Sequence, residues 1–273
     1  MIKGLIGYTG TVGQSILDVI PDITYKYNSK NISDIHNMQF DVLYIAGVSA
    51  NKWFANSNNV EDLANIKSLL NDLKTVKAKQ VILISTIDID YFPNEPYSIN
   101  REFFEFEIQK MFSNTYVIRL PGLIGKHIKK NFIYDCKHMI PKFFKDNLDP
   151  ELWPYYYFNG KVYSLKDNAD KDKLLPILIS KKLTALRFTN ANSVYQFFDL
   201  SNIKEVIRIA LNNNIRLLKV SSYPISTKEI CLHLNIDHNL LGSGTPIVYD
   251  KLTDFILLSK EAILQSITTY MEG

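Results

Sequence analysis

Gly7, Gly10 and Gly13 stand three residues apart in Gly7-Tyr8-Thr9-Gly10-Thr11-Val12-Gly13, behind the apolar run Lys3-Gly4-Leu5-Ile6 and ahead of a helical stretch. Glycines at such a bend do chemistry with phosphate. The first permits a tight turn, the second lets the backbone approach a pyrophosphate, and the third lets helix and strand pack closely. A pyrophosphate there meets free N–H groups and the positive end of the helix dipole. Gly7, Thr9, Gly10, Thr11, Val12 and Gly13 are therefore expected to hold a dinucleotide. A P-loop needs a lysine followed by Ser or Thr after its last glycine, and Gln14-Ser15 excludes it. The second strand should end in an acid for a ribose 2′-OH. Here it ends Tyr27-Asn28-Ser29-Lys30, with no carboxylate. Asn28, Ser29 and Lys30 would admit a 2′-phosphate, so the reading leans to NADP over NAD; a solvated Lys30 is the alternative.

A bend of this kind works only when strands and helices hold it. Val12, Ile16, Val19 and Ile20 share one helical face, which Pro21 stops. Ile23 to Tyr27 reads as a second strand, and Ile32 to His36 leaves room for a brief helix. Asp41 to Ala46 is a buried strand closed by Gly47. Val60, Leu63, Ile66, Leu69, Leu70, Leu73 and Val76 recur at three and four, which predicts an amphipathic helix. Val81 to Ile84 is a strand, Tyr97 to Phe112 a helix, and Tyr116 to Leu120 a strand halted by Pro121-Gly122. Strands apolar throughout need helices on both faces, hence a parallel sheet, and this alternation predicts a doubly wound fold.

From Lys126 the pattern is irregular, punctuated by Pro141, Pro150, Pro154 and the run Asp167 to Asp172. Tyr195 to Leu200 and Ile203 to Leu211 return to the main body, and Ile215 to Val220 offers a last strand. Ser226 or Thr227 caps a helix, with Glu229 in its first turn. The expectation is α/β: a Rossmann-type doubly wound parallel sheet with a small C-terminal substrate lobe. Residues 1–125 would bind NAD(P). Residues 126–273 would form the lobe, with a segment of about 188–222 returning to the body.

The chain has 273 residues with 31 basic and 28 acidic side chains, a net +3 too weak to point to nucleic acid. Two cysteines exclude a disulfide scaffold. No apolar run is long enough for a membrane span, and Met1 to Gly10 lacks a signal peptide's apolar region, so a cytoplasmic protein is expected. The five histidines show no metal spacing and no metal is expected. Asp146, Asp149 and the run Lys166 to Lys173 read as solvated surface.

The Gly-x-x-Gly-x-x-Gly spacing resembles the short-chain dehydrogenase/reductase superfamily in its extended, nucleotide-sugar branch. In that family a Ser or Thr after the fourth main strand and a Tyr-x-x-x-Lys on the next helix carry the chemistry. This sequence has Ser85-Thr86 and Tyr97-Ser98-Ile99-Asn100-Arg101. The resemblance makes Tyr97 the acid/base, Thr86 the oxygen positioner and Arg101 the electrostatic partner. The spacing suits this, because residues i and i+4 share a helix face. A fixed positive charge would lower a phenol's pKa from about 10, favouring proton exchange with a substrate oxygen while hydride moves. Arg101 in place of lysine keeps the charge but not the compact ammonium. That departure motivates a second reading, a non-catalytic NAD(P)-binding regulatory or scaffold protein of the same fold.

The resemblance extends to other positions. Ala46 and Gly47 match the family's small residues beside the cofactor, and Asn65 matches an asparagine that supports the site. Pro121 lies in the segment Arg119 to Gly125, which resembles the stretch passing the nicotinamide. Lys129 and Lys130 would meet the substrate's diphosphate, and Asn131 and Gln196 would contact the substrate. The implied function is an NAD(P)-dependent oxidoreductase or epimerase acting on a nucleotide-activated sugar, by 4-keto reduction or epimerisation, in polysaccharide or glycan precursor synthesis. The compact size looks closer to dTDP-4-dehydrorhamnose reductases than to the longer epimerases. Relatives often pair through two helices each, and Phe103, Phe104 and Phe112 would suit such a contact, which leaves a homodimer open.

Overall fold

The computed structural model describes residues 1–145, 147–251, 253 and 256–273; Asp146 lies outside them. The first half builds β1 (Lys3–Ile6), α1 (Thr11–Val19), β2 (Tyr25–Tyr27), β3 (Gln39–Ile45), α2 (Lys52–Ser57), α3 (Asn59–Leu73), β4 (Lys77–Thr86), α4 (Asp88–Tyr91), α5 (Pro96–Met111) and β5 (Thr115–Leu120). The second half adds β6 (Gly122–Ile124), α6 (Phe132–His138), β7 (Phe143–Phe144), β8 (Tyr156–Phe158), β9 (Tyr163–Leu165), α7 (Lys171–Ser180), β10 (Val194–Tyr195), β11 (Phe197–Asp199), α8 (Ile203–Asn212), β12 (Leu217–Lys219), α9 (Thr227–His233) and, at the end, α10 (Lys260–Glu272).

Six strands form one parallel sheet in the order β12-β5-β4-β3-β1-β2. Alternate side chains go to opposite faces, as a strand's period of two requires. Leu43, Ile45, Val81, Leu83 and Val117 pack with Ile66, Leu70 and Leu73 of α3 and Phe104 and Ile108 of α5. Val42, Tyr44, Ile82, Tyr116 and Ile118 pack with Ile16 of α1, Val206 and Ile207 of α8, and Ile263 and Ile267 of α10. This is the doubly wound Rossmann-type architecture that the continuous apolar strands predict.

Local outcomes follow local chemistry. The short connection after β2 holds one 3₁₀ turn, Ile32–Ile35. Pro96 occupies the first turn of α5, where its missing N–H costs nothing. Ser226 is the cap of α9, in a reciprocal capping box with Glu229. The last sheet strand is the three-residue β12 on the outer edge beside β5. Residues 143–178 keep a separate small core, with Phe144, Leu152, Tyr156, Leu174 and Leu178 beneath the antiparallel sheet β7-β9-β8.

The aromatic cluster on α5 is not a free face. Phe104 and Phe112 are buried against the sheet and Phe103 packs beside them, because these positions share the inward stripe of the helix. Ile99 and Phe106 are its exposed apolar residues. No helix among the described residues is long and apolar enough to cross a membrane.

Candidate active site

The glycine bend joins three strand ends. Gly7 has φ +86°, and a Cβ there would lie 2.4 Å from the Ala46 carbonyl oxygen. Its N–H donates to the Tyr27 carbonyl at 2.8 Å, which ties β1 to β2. A Cβ on Gly13 would lie 2.1 Å from the Gly7 carbonyl oxygen, so the third glycine lets α1 sit on the bend. Gly10 differs. It precedes α1 with no side-chain cap, and a Cβ there would come no closer than 3.3 Å to a neighbour, the Gly7 carbonyl oxygen. Its open side and the first N–H groups of α1 suit a pyrophosphate.

A cavity of about 1170 Å³ runs over the carboxyl edge of the sheet. Gly7, Thr9, Gly10, Thr11, Val12, Asn28, Ser29, Ala46, Gly47, Asn65, Thr86, Tyr97, Arg101, Pro121, Lys130 and Asn131 all line it. Three candidates lie elsewhere. Gly13 is buried under the bend, and Lys30 is exposed outside the cavity. Gln196 is 1% exposed and donates to the Lys251 carbonyl at 2.8 Å, which turns its amide to a neighbouring cavity of about 310 Å³. Gln196 thus stands outside the large cavity and lines the neighbouring one. The bend after β2 is clamped by asparagine, with the Lys30 N–H donating to Asn28 Oδ1 and the Asn28 N–H to Asn31 Oδ1, both at 2.8 Å.

Tyr97 sits in the first turn of α5, its N–H donating to Asn56 Oδ1 at 2.9 Å. The helix is held to β5 by the buried Arg119–Glu105 pair, 2.6 Å. The Arg101 guanidinium lies over the Tyr97 ring, 4.5 Å from its centroid. It does not dominate the phenol. Burial pushes the Tyr97 pKa up, and the Arg101 charge with hydrogen bonds from Arg101 and Thr86 pulls it back only in part. The net direction is upward, against the expectation that a nearby positive charge lowers it. Arg101 is itself committed: it pairs with Asp62 and donates to the Ser49 carbonyl at 2.6 Å.

Lys130 donates to the Ala50 carbonyl at 2.6 Å, and burial lowers its pKa. Asn131 has φ +119° and caps α6, accepting from the Tyr134 N–H at 3.0 Å and donating to the Leu123 carbonyl at 2.7 Å. Such a backbone costs about 1–3 kcal/mol for a non-glycine residue and is held only by its surroundings. One lone pair and one N–H of the amide remain for a ligand.

Lys52, Trp53, Asp88 and Tyr249 are among the lining residues that the sequence analysis does not single out. Lys52 and Trp53 follow the end of β3, on the ligand edge of such a sheet, and that placement was a usable signal. Asp88 stands two residues after Thr86. Tyr249 gave no signal, since nothing local links it to a site 161 residues earlier. Among the described residues no group of His, Cys, Asp and Glu is arranged to hold a metal.

These features define a Rossmann-type α/β protein with a glycine bend between its first strand and helix. No protein-family model matches the sequence, and no curated protein matches it. Solved structures share the fold. A UDP-glucuronic acid 4-epimerase variant from Bacillus cereus, in complex with UDP-4-deoxy-4-fluoro-glucuronic acid and NAD, superposes with TM-score 0.62 at 12% identity over 100% of this chain and 99% of that one. RMD from Pseudomonas aeruginosa, complexed with NADPH, gives 0.60 at 13% over 100% of both chains. The dTDP-4-dehydrorhamnose reductase from Yersinia enterocolitica gives 0.56 at 12% over 100% and 99%. At these identities the likeness is one of fold.

Proposed function

We propose that this chain is an NAD(P)-dependent enzyme that reduces or epimerises the sugar of a nucleotide-activated sugar through a 4-keto species, with residues 1–125 carrying the cofactor and 126–273 the substrate. The observation that carries the reading is one cavity lined together by the open Gly10 bend, by Thr86 and Tyr97, and by Lys130 and Asn131. Fold alone would not support it. The fold neighbours include a UDP-glucuronic acid 4-epimerase in complex with a UDP-sugar and NAD, and RMD complexed with NADPH.

A bound nicotinamide would supply or accept the hydride. Gly7, Gly10 and the start of α1 would hold its pyrophosphate, and Ala46 and Gly47 leave room along the sheet edge. Tyr97 exchanges a proton with the substrate oxygen, and its raised pKa keeps it protonated at neutral pH, the form needed to donate during reduction. Lys130 places a cation beside the substrate's phosphates. Ser29 at the end of β2, with no carboxylate beside it, favours NADP.

The test is consumption of NADPH and NADH with a panel of 4-keto nucleotide sugars. Wild type should turn over at least one, and Tyr97→Phe should lose about 10²–10⁴-fold in kcat with cofactor binding retained. Equal turnover by Tyr97→Phe would overturn the assignment. One observation favours the second reading, a binding protein without turnover: Arg101 is tied to Asp62. Cofactor binding with no turnover across the panel would select it.

A further inference from the structure

The last turn of α3 carries an acid against the electrostatics of its own helix. Carboxylates are disfavoured at a helix C-terminus, where the carbonyl ends of the peptide dipoles gather, and no basic side chain stands in that turn to offset Asp72. Asp72 is held from outside the helix instead. His36 Nε2 lies 3.1 Å from its Oδ1, and because an ionised carboxylate only accepts, the ring N–H is the donor. His36 caps the 3₁₀ turn Ile32–Ile35, the first element after β2, and α3 packs against that turn. Asp72 therefore stands beside the connection that leaves β2. Its side chain is 17% exposed, and its Oδ2 accepts no hydrogen bond among the described residues.

Ser29, Ile32, Leu69 and Asp72 all line the large cavity. Leu69 and Asp72 are three residues apart and share one face of α3. Ile32 and Leu69 are both half-buried, packed against the same apolar cluster. In a sheet of this kind the pyrophosphate rests on the glycine bend and the adenosine ribose at the end of β2, where Ser29 stands. The base lies beyond that ribose. The connection after β2 thus offers a base two apolar side chains for its flat faces and one carboxylate oxygen for its edge. Adenine presents an amino group at position 6, a donor. Hypoxanthine has an oxygen there, which a carboxylate repels because it has no proton to give.

We propose that Asp72 selects the base of the dinucleotide: its Oδ2 accepts from the 6-amino group of adenine, His36 fixes the carboxylate, and Ile32 and Leu69 flank the ring. The inference rests on the dinucleotide reading given under Proposed function. It adds a determinant from α3, a helix distant in sequence from both the glycine bend and the end of β2. The contact is made to the base and not to the ribose 2′ position, so it serves NAD and NADP alike. It also accounts for an acid kept in the last turn of a helix, where the dipole opposes it.

The test is binding alone, by fluorescence titration of the full chain, and needs no turnover. The probes are NADPH, NADH and the hypoxanthine counterpart of each, in which oxygen replaces the 6-amino group. Wild type should bind the adenine form about 10–100-fold more tightly, the range for a lost hydrogen bond to a charged group. Asp72→Leu should bring the two forms within about twofold of each other by weakening the adenine form. Asp72→Asn places an amide N–H opposite the hypoxanthine oxygen, so it should bind the hypoxanthine form more tightly than wild type does. That gain of affinity is one that misfolding does not produce, and thermal melts of both variants should stay within a few degrees of wild type. Equal affinity of wild type for the two bases, or a base preference unchanged in Asp72→Leu, overturns the role of Asp72 alone. A wild type that binds none of the four dinucleotides overturns the parent reading and the role of Asp72 with it.

Discussion

Arg101 and Asp62 meet in a two-pronged ion pair, Nη1 to Oδ2 at 3.0 Å and Nη2 to Oδ1 at 2.9 Å, with both side chains 5% exposed. Asp62 is the carboxylate that fixes the residue standing where a lysine is expected, and Asn100 donates to the same Oδ2 at 2.9 Å. Removing one partner leaves an uncompensated buried charge, which costs about 3–5 kcal/mol. Arg101→Met and Asp62→Leu should each destabilise by that amount in urea unfolding. The double variant should recover most of it, since apolar replacements of a buried pair are often near neutral. Strict additivity of the two losses would show that the pair is not coupled.

The three glycines should separate folding from binding. Gly13→Ala drives a Cβ into the Gly7 carbonyl, 2.1 Å away, so its melting temperature should fall steeply. Gly10 has φ −80°, which alanine adopts freely, and its nearest neighbour is at 3.3 Å. Gly10→Ala should therefore melt within a few degrees of wild type yet lose NADPH binding, because the methyl occupies the approach of the pyrophosphate. Thermal melts paired with fluorescence titration check both. A Gly10→Ala protein that still binds NADPH would put the phosphates elsewhere.

The strand–helix alternation was legible because it is written locally. Val81, Ile82 and Leu83 are each fully buried, and only a sheet covered on both faces accommodates such a run. The bend and the Tyr97–Arg101 face were legible for the same reason. Asp62 was not, since pairing it with Arg101 requires knowing that α3 packs on α5. Tyr249 was less so, because its partner is 161 residues away. The lobe sheet β7-β9-β8 has strands of two and three residues, too short for a period to show.

Trp53 is 60% exposed on the cavity rim, with Lys145 Nζ 3.9 Å above its ring. Trp53 belongs to α2, and Lys145 follows directly after β7. An exposed indole there offers a flat face to a sugar or base. Trp53→Ala should raise the KM for the nucleotide sugar about tenfold, the equivalent of about 1.4 kcal/mol, with kcat unchanged. Lys145→Ala should have a smaller effect, since an exposed cation–π contact contributes about 0.5–1 kcal/mol. Steady-state kinetics decide it, and a fall confined to kcat would place Trp53 in the chemistry instead.

Asp135 gives the protein a pH-dependent liability. Burial in α6 raises its carboxyl from 3.8 to about 7, and Lys142 only partly opposes this. Below about pH 4 the folded and unfolded chains both hold the proton and the residue costs nothing. From there to about pH 7 the unfolded chain has released its proton while the folded chain keeps it, so stability falls as pH rises. Above about 7 the loss is complete, because the folded chain must then bury the charge. Asp135→Asn should accordingly melt higher than wild type at pH 8 and close to it at pH 4. Lys142→Ala should melt lower than wild type at pH 8, having removed the opposing cation. Melting curves at pH 4, 6 and 8 separate this from packing, since a gain of equal size at every pH would show that the amide improves α6 for reasons other than charge.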